Sequence, residues 1–296
     1  LSERNLSASV KARLLAKAKA EHADYSLFLT RFALERLLYR LSISSHKNAF
    51  LLKGALLFDL WFDAPLRPTR DIDLLGLGMA DIPDLRSAFE EICTTHADDG
   101  VKFDERTIQI DQIRKEANYA GLRVKLTGRI DTAICTVQID VGYGDAVTPR
   151  AEMADYPTLL QEFPAPRLRV YPRYTVVAEK LEAIIALGMI NSRLKDYFDL
   201  WTVLRSSQLD QHILRQAIVA TLDRRHTILP SSLPLGLSDD FAEDPNKISQ
   251  WNAFITRNKL NAPSLADTVA EIRKRVGFIF SMQKRQAIDE RGVDRN

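Results

Sequence analysis

Between about Val101 and Val147 lie runs in which apolar side chains recur at every second position, whereas on either side of that stretch they recur at every third or fourth. A chain that changes period in this way builds a sheet with helices laid against it. Leu122, Val124 and Leu126 alternate with polar residues. From Ala133 to Val141, Cys135, Val137, Ile139 and Val141 point one way while Thr136, Gln138 and Asp140 point the other, until Gly142 and Gly144 end the run. Helical spacing runs from about Ser7 to Leu41, from Gly54 to Phe62 and from Pro83 to His96. It returns near 176–187, 195–204 and 265–276, with 230–244 read as a loop. The class predicted is α+β. Pro149, Pro157, Pro164, Pro166 and Pro172 interrupt both periods, which places a boundary near residue 165 and predicts two lobes, 1–165 and 166–296. Ala64–Pro68 breaks the helix before the next strand, and the tail after Lys284 is polar.

The chain of 296 residues is 46% hydrophobic and 27% charged, enough to bury a sizeable core. Its net charge of +2 excludes a strongly basic nucleic-acid footprint over the whole surface, though basic residues cluster locally. Two distant cysteines, Cys93 and Cys135, make neither a disulfide framework nor a metal-ligand spacing. No apolar run is long enough to span a bilayer, and the first six residues carry no leader-type apolar core. A soluble cytoplasmic protein without membrane partners is expected.

The chemistry concentrates in Lys53-Gly54-Ala55 and in Arg67-Pro68-Thr69-Arg70-Asp71-Ile72-Asp73-Leu74-Leu75. In a strand over 71–75, Asp71 and Asp73 share one face while Ile72 and Leu74 face the core. Two adjacent carboxylates repel unless a cation lies between them. Mg²⁺ takes oxygen ligands and accepts one or two carboxylates plus substrate phosphates, which is what a nucleotidyl-transfer site requires. An Asp-x-Asp alone is weak evidence, because solvated strand ends carry such pairs too. Gly54 precedes a helix whose N-terminus can accept phosphate. Asp140 either completes the metal site as a third carboxylate or sits on the exposed face of an edge strand without a role.

Lys180 lies in Val176–Leu187, a helix apolar around most of its circumference, so its ammonium must pair, snorkel or bind a ligand. Two readings stand: an ion pair with a carboxylate such as Asp196, or a contact to the triphosphate. Asp196 and Asp199 fall on one face of the next helix, where Asp196 serves either as a cap near the helix start or to orient Lys180 or the acceptor. Tyr197, Phe198 and Trp201 are read as core.

Taken in order, Phe50–Ala55, Arg67–Leu74, Ala178–Leu181 and Lys195–Trp201, with the upstream helix Leu34–Ser42, resemble the AbiEii/AbiGii toxin family over about residues 9–204. The resemblance implies a polymerase β-type nucleotidyltransferase lobe with a mixed sheet and a helical C-terminal lobe that offers Lys180 and Asp196 across a cleft. It implies an NTP donor, Mg²⁺ as two ions, a tRNA acceptor whose extended 3′ end blocks aminoacylation and translation, and a cognate antitoxin. By motif position Asp71 and Asp73 match the metal-binding carboxylates, with Lys180 and Asp196 the later catalytic pair. Thr69 takes a small-hydroxyl position that touches phosphate or is modified. Gly54-Ala55 departs from the usual Gly-Ser of the superfamily and removes a phosphate-binding hydroxyl, for which Lys53 compensates in part. The stretch between Gly54 and Asp71 is also longer than in minimal members.

RNA would follow basic clusters at Arg167, Arg169 and Arg173, at Arg224, Arg225 and His226, and at Arg273, Lys274 and Arg275, each of which also reads as a solvated face. Two rival functions share the fold: an enzyme that AMPylates a protein hydroxyl, and a non-catalytic nucleotide-binding protein.

Overall fold

The computed structural model describes residues 3–62, 68–78, 81–114 and 120–280; the helix break at 63–67 and the polar tail lie outside the described residues. Two compact units are present. Residues 1–145 with 151–171 form the first, and 146–150 with 172–296 form the second.

The first unit carries helices α1 (Glu3–Ala20), α2 (Tyr25–Ile43), α3 (Leu57–Trp61) and α4 (Ile82–Thr94). Its strands are β1 (Phe50–Lys53), β2 (Asp71–Gly76), β3 (Val101–Arg114), β4 (Ala120–Ile130), β5 (Ala133–Tyr143), β6 (Glu152–Asp155) and β7 (Arg167–Val170). They form one sheet in the order β3-β4-β5-β2-β1-β7-β6. β2 pairs parallel with β5 and β1 parallel with β7, while the other neighbours are antiparallel. The sheet is therefore mixed and the class is α+β. β5 sits inside the sheet between β4 and β2, so Asp140 is not on an edge strand; it is buried.

Local chemistry explains the helices that frame the sheet. Asp24 caps α2 by accepting from Ser26 N at 2.8 Å, and Asp81 caps α4 by accepting from Asp84 N at 2.7 Å. Leu85, Ala88, Phe89 and Ile92 then recur at helical spacing and are buried. Arg40 of α2 is also buried, with both terminal nitrogens of its guanidinium engaged. It donates to Asp99 Oδ2 at 2.7 Å, to Asp99 Oδ1 at 3.1 Å and to Val101 O at 2.9 Å, tying the helix to the start of β3. A Cβ at Gly128 would touch Ala33 of α2. Gly128 pairs with Cys135, so α2 covers the sheet face that carries Cys135, Ile139 and Ile72. The alternate residues, Asp73 and Asp140 among them, project from the opposite face.

The second unit contains α5 (Arg173–Leu187), α6 (Leu194–Ser206), α7 (Gln211–Arg224), α8 (Asp239–Ala242), α9 (Pro245–Asn258) and α10 (Leu265–Val276). α5 packs on α6 and α7, and α10 on α6. Thr148 N donates to Thr175 Oγ1 at 2.9 Å, and that hydroxyl donates back to Thr148 O at 2.9 Å, fastening 146–150 to the first turn of α5. Tyr197, Phe198 and Trp201 are core. The segment 230–244, expected as a loop, holds a 3-10 turn at Leu235–Leu237 and α8. The proline-bearing connection holds two strands, β6 and β7, whose four residues each are too few to show a period. Among the described residues no helix is long and apolar enough to cross a membrane.

Candidate active site

Four charged residues line up across four neighbouring strands of the first unit. Arg123 on β4 is opposite Asp140 on β5, Asp140 is opposite Asp73 on β2, and Asp73 is opposite Lys53 on β1. Residues directly opposite in a sheet share a face at about 5 Å between Cβ atoms. The row thus reads positive, negative, negative, positive. Asp71 stands on the same face two residues before Asp73 and opposite Gln138. The sheet register brings all three expected carboxylates, Asp71, Asp73 and Asp140, to one face.

Each member of the row is held by particular neighbours. Thr69 Oγ1 donates to Asp71 Oδ1 at 2.8 Å, so the hydroxyl expected to meet phosphate or modification here braces a carboxylate. Gly54 has φ +76° and lies under Asp73; a Cβ there would collide with the Asp73 carboxylate. Both the backbone angle and the close approach require glycine at this position. The helix after Gly54 begins as a 3-10 turn, Gly54–Leu56, before the five residues of α3, a short element for a phosphate-binding terminus. Lys53 Nζ is in direct ion contact with Asp145 Oδ2 and lies 5.0 Å from the Tyr171 ring centroid, with Tyr171 Oη 3.4 Å from the same carboxylate. The ammonium expected at the triphosphate is thus engaged by a carboxylate that sequence reasoning did not single out. At Gly142, by contrast, a Cβ would meet nothing nearer than 3.8 Å.

Asp140 is the most constrained of the carboxylates. Arg123 Nε donates to its Oδ1 at 2.8 Å and Arg123 Nη2 to its Oδ2 at 2.9 Å, a bidentate pair. The bond to Asp140 holds the Arg123 pKa above its ordinary value against desolvation, reinforced by the charges of Asp140, Asp71 and Asp73. Among the described residues no group of three or more His, Cys, Asp or Glu side chains is arranged to hold a metal ion. Asp71 and Asp73, same-faced and half-buried, fit a divalent cation that completes its shell with substrate oxygens.

In the second unit Lys180 Nζ donates to Asp196 Oδ1 at 3.0 Å and to Asp199 Oδ2 at 2.8 Å. Arg193 Nε lies 2.7 Å from Asp196 Oδ2. Both aspartates are buried. Burial pushes the Asp196 carboxyl up, but the Lys180 and Arg193 cations overcome it and hold the group below its ordinary range. The ion-pair reading of Lys180 is the arrangement present, with Asp199 as a second partner that the shared helical face already signalled.

Each basic cluster is spent in part within the protein. Arg169 donates to Asn48 O at 3.1 Å, Arg225 to Glu182 Oε2 at 2.7 Å and Arg273 to Asp239 Oδ1 at 2.7 Å, while Arg275 donates to Glu271 Oε1 at 3.0 Å. Arg224 and His226 are exposed.

A family model described as "Nucleotidyl transferase AbiEii toxin, Type IV TA system" matches residues 36–275. Among solved structures, JHP933 from Helicobacter pylori aligns with a TM-score of 0.51 at 14% identity, covering 92% of this chain and 99% of that one, a likeness of fold. A candidate nucleotidyltransferase from H. pylori aligns with a TM-score of 0.48 at 15% identity, covering 89% and 98%. No curated protein matches the chain.

Proposed function

The chain belongs to the nucleotidyl transferase AbiEii toxin family, and from that premise we propose that it transfers a nucleoside monophosphate from an NTP to the 3′ end of an RNA, with tRNA the expected acceptor. The observation that carries the reading is the pair Asp71 and Asp73, on one face of β2 above a glycine that could be nothing larger. The acceptor hydroxyl oxygen attacks the α-phosphorus, a new P–O bond forms, the bond to the β-phosphate oxygen breaks, and pyrophosphate leaves. A divalent cation held by Asp71 and Asp73 would neutralise triphosphate charge and ease loss of the hydroxyl proton. Thr69 fixes the rotamer of Asp71, and Gly54 lets Asp73 lie flat on the β1 turn. Lys180 and Asp196 are assigned to the same transfer by motif position. A toxin of this family also implies a cognate antitoxin. In this scheme catalysis is positioning and charge neutralisation.

The test is incorporation of α-labelled NTP into total tRNA by the purified chain with Mg²⁺ or Mn²⁺, each nucleotide assayed separately. Wild type is expected to label RNA at its 3′ end. Asp71→Asn and Asp73→Asn are expected to lower the rate by at least about 10³-fold, a loss within the several kcal/mol that metal-borne charge stabilisation supplies. Label that persists in both variants sinks the carboxylate assignment. Label that resists ribonuclease and migrates with protein moves the acceptor from RNA to a protein hydroxyl.

A further inference from the structure

Next to the charged row, one step toward the turn that joins β4 to β5, a second row lies on the same face of the sheet. Lys125 on β4 is opposite Gln138 on β5, and Gln138 is opposite Asp71 on β2. A further step brings Thr127 opposite Thr136, and Arg129 follows on β4. Between Asp140 and the turn neither strand carries another carboxylate. On β3 the neutral Gln109 is opposite Lys125. Asp104 is opposite Thr127, but Arg106 donates to it from Nε at 2.9 Å and from Nη2 at 3.1 Å.

The polar groups of this second row are uncommitted. Arg123 and Asp140 hold each other, and Lys53 lies against Asp145. Lys125 and Gln138, both half-buried, make no hydrogen bond or ion pair among the described residues. An ammonium is a point charge suited to a phosphate oxygen, and a side-chain amide offers both donors and an acceptor. One ammonium and one neutral amide match a phosphodiester, with its single charge, joined to a sugar and a base. A triphosphate carries several adjacent charges and is matched by a divalent cation. Position favours the same occupant. In phosphoryl transfer the attacking and leaving oxygens are roughly in line, so the acceptor and the pyrophosphate stand on opposite sides of the reacting centre. β5 and β4 lie on one side of β2 and the β1 turn on the other. On the β1 side Gly54 is pressed under Asp73 and Lys53 is engaged. The side that offers uncommitted polar groups to an incoming strand is that of β5 and β4.

We propose that this part of the sheet face is the track for the single-stranded 3′ end of the acceptor RNA. Lys125 holds the last internucleotide phosphate and Gln138 the terminal nucleotide, which brings the 3′-hydroxyl to Asp71 and Asp73. The proposal rests on the reading of those two carboxylates as the place of transfer, and the track is continuous with them through Gln138. Thr127, Thr136 and Arg129 extend it toward the turn for the preceding nucleotides. A phosphate contact carries no sequence information, so Lys125 sets the affinity for the RNA end and not the choice among bases. The RNA end thus lies on the sheet unit, apart from clusters whose Arg169, Arg225 and Arg273 already bond within the protein.

Binding of a 5′-labelled single-stranded RNA to the full chain, followed by fluorescence anisotropy at several salt concentrations, reads the phosphate contact. Lys125→Gln is expected to weaken binding by about tenfold or more, the loss of one charged hydrogen bond. The slope of log affinity against log salt is expected to become shallower by about 0.7, the share of one phosphate on a single strand. Lys125→Arg is expected to keep most of the affinity. In the transfer assay Lys125→Gln is expected to raise the KM for RNA and leave the KM for NTP at its wild-type value, and Gln138→Ala to raise the KM for RNA a few-fold. A measurement on wild type needs no variant to fold. RNA whose last internucleotide linkage is a neutral methylphosphonate is expected to lose the same factor, with no further loss when Lys125→Gln is the protein. Unchanged affinity and salt slope in Lys125→Gln overturn the proposal. So does a rise in the KM for NTP alone, which would put the ammonium on the triphosphate. No change in Gln138→Ala removes that residue from the track. Asp71→Asn reports separately on the proposed function. If it abolishes transfer while Lys125→Gln binds and extends RNA as wild type does, the function stands and the track fails. If the methylphosphonate and Lys125→Gln lose binding together while Asp71→Asn still transfers, the track stands and the carboxylate assignment fails.

Discussion

Gly54 shows how a single backbone angle shapes the carboxylate face. Its φ of +76° favours glycine, and a Cβ would push on Asp73. An L-residue in that region costs about 1–2 kcal/mol, and the collision adds to it. Gly54→Ala is therefore expected to stay folded with a modest drop in denaturant midpoint but to lose incorporation activity by roughly 10²-fold, because a displacement near 1 Å is enough to misplace reacting groups. Equal activity in wild type and variant would show that Asp73 does not need its present position. Arg123 and Asp145 mark what the sequence left unread. The side on which Arg123 points was readable from the alternation of Leu122, Val124 and Leu126. Its partner was not, because that depends on how β4 registers with β5, and a shift of one residue would hand Asp140 to the other face. The pairing of Asp71 with Asp73 was legible because it needs only the period of one strand.

Between elements, the contact of α5 with α6 turns on Lys180. One ammonium answers two buried carboxylates, and removing one partner of such a cluster costs about 3–5 kcal/mol because the charges left behind have no water. Lys180→Met is expected to lower stability by that amount at pH 7. The pH dependence carries the sign. In wild type the Asp196 value is depressed below 3.8, so its stabilisation is present above that value and lost as pH falls through the folded one. In Lys180→Met only Arg193 remains to oppose the burial of Asp196, its folded value rises, and protonation relieves part of the strain. The deficit of the variant is therefore expected to shrink between pH 7 and about pH 4.5, read as urea midpoints for both proteins at each pH. A constant deficit would mean that the ammonium contributes packing alone. The other helices of this unit were only partly legible. α7 and α9 follow Asp210 and Asp244, which cap them by accepting from Ile213 N at 3.0 Å and Lys247 N at 2.9 Å, with Pro245 opening α9. Those start signals were in the sequence, but their apolar stripes are thin, and periodicity alone passed over them.

For the molecule as a whole the open question is where the sheet unit ends. The prolines from 149 to 172 bracket two short strands that show no period of their own. β7, at 167–170, lies beyond the boundary expected at residue 165 and pairs parallel with β1, where Leu52 registers with Val170 and Tyr171 N donates to Leu52 O at 3.0 Å. β6 pairs in turn with β7. Cutting at 165 removes β7 and leaves β1, with its buried Phe50, Leu51 and Leu52, as a bare apolar edge of the kind that recruits other chains. Cutting at 171 keeps all seven strands, and the compact unit ends there. A fragment of residues 1–171 is expected to be monomeric, with a cooperative thermal transition and a strand-rich circular dichroism spectrum. Residues 1–165 are expected to aggregate or to melt without cooperativity, as judged by size-exclusion chromatography and calorimetry. If the shorter fragment folds as well as the longer one, β7 adds nothing essential to the sheet. If neither folds alone, the sheet unit depends on the rest of the chain, and no single cut in the proline segment separates an autonomous domain.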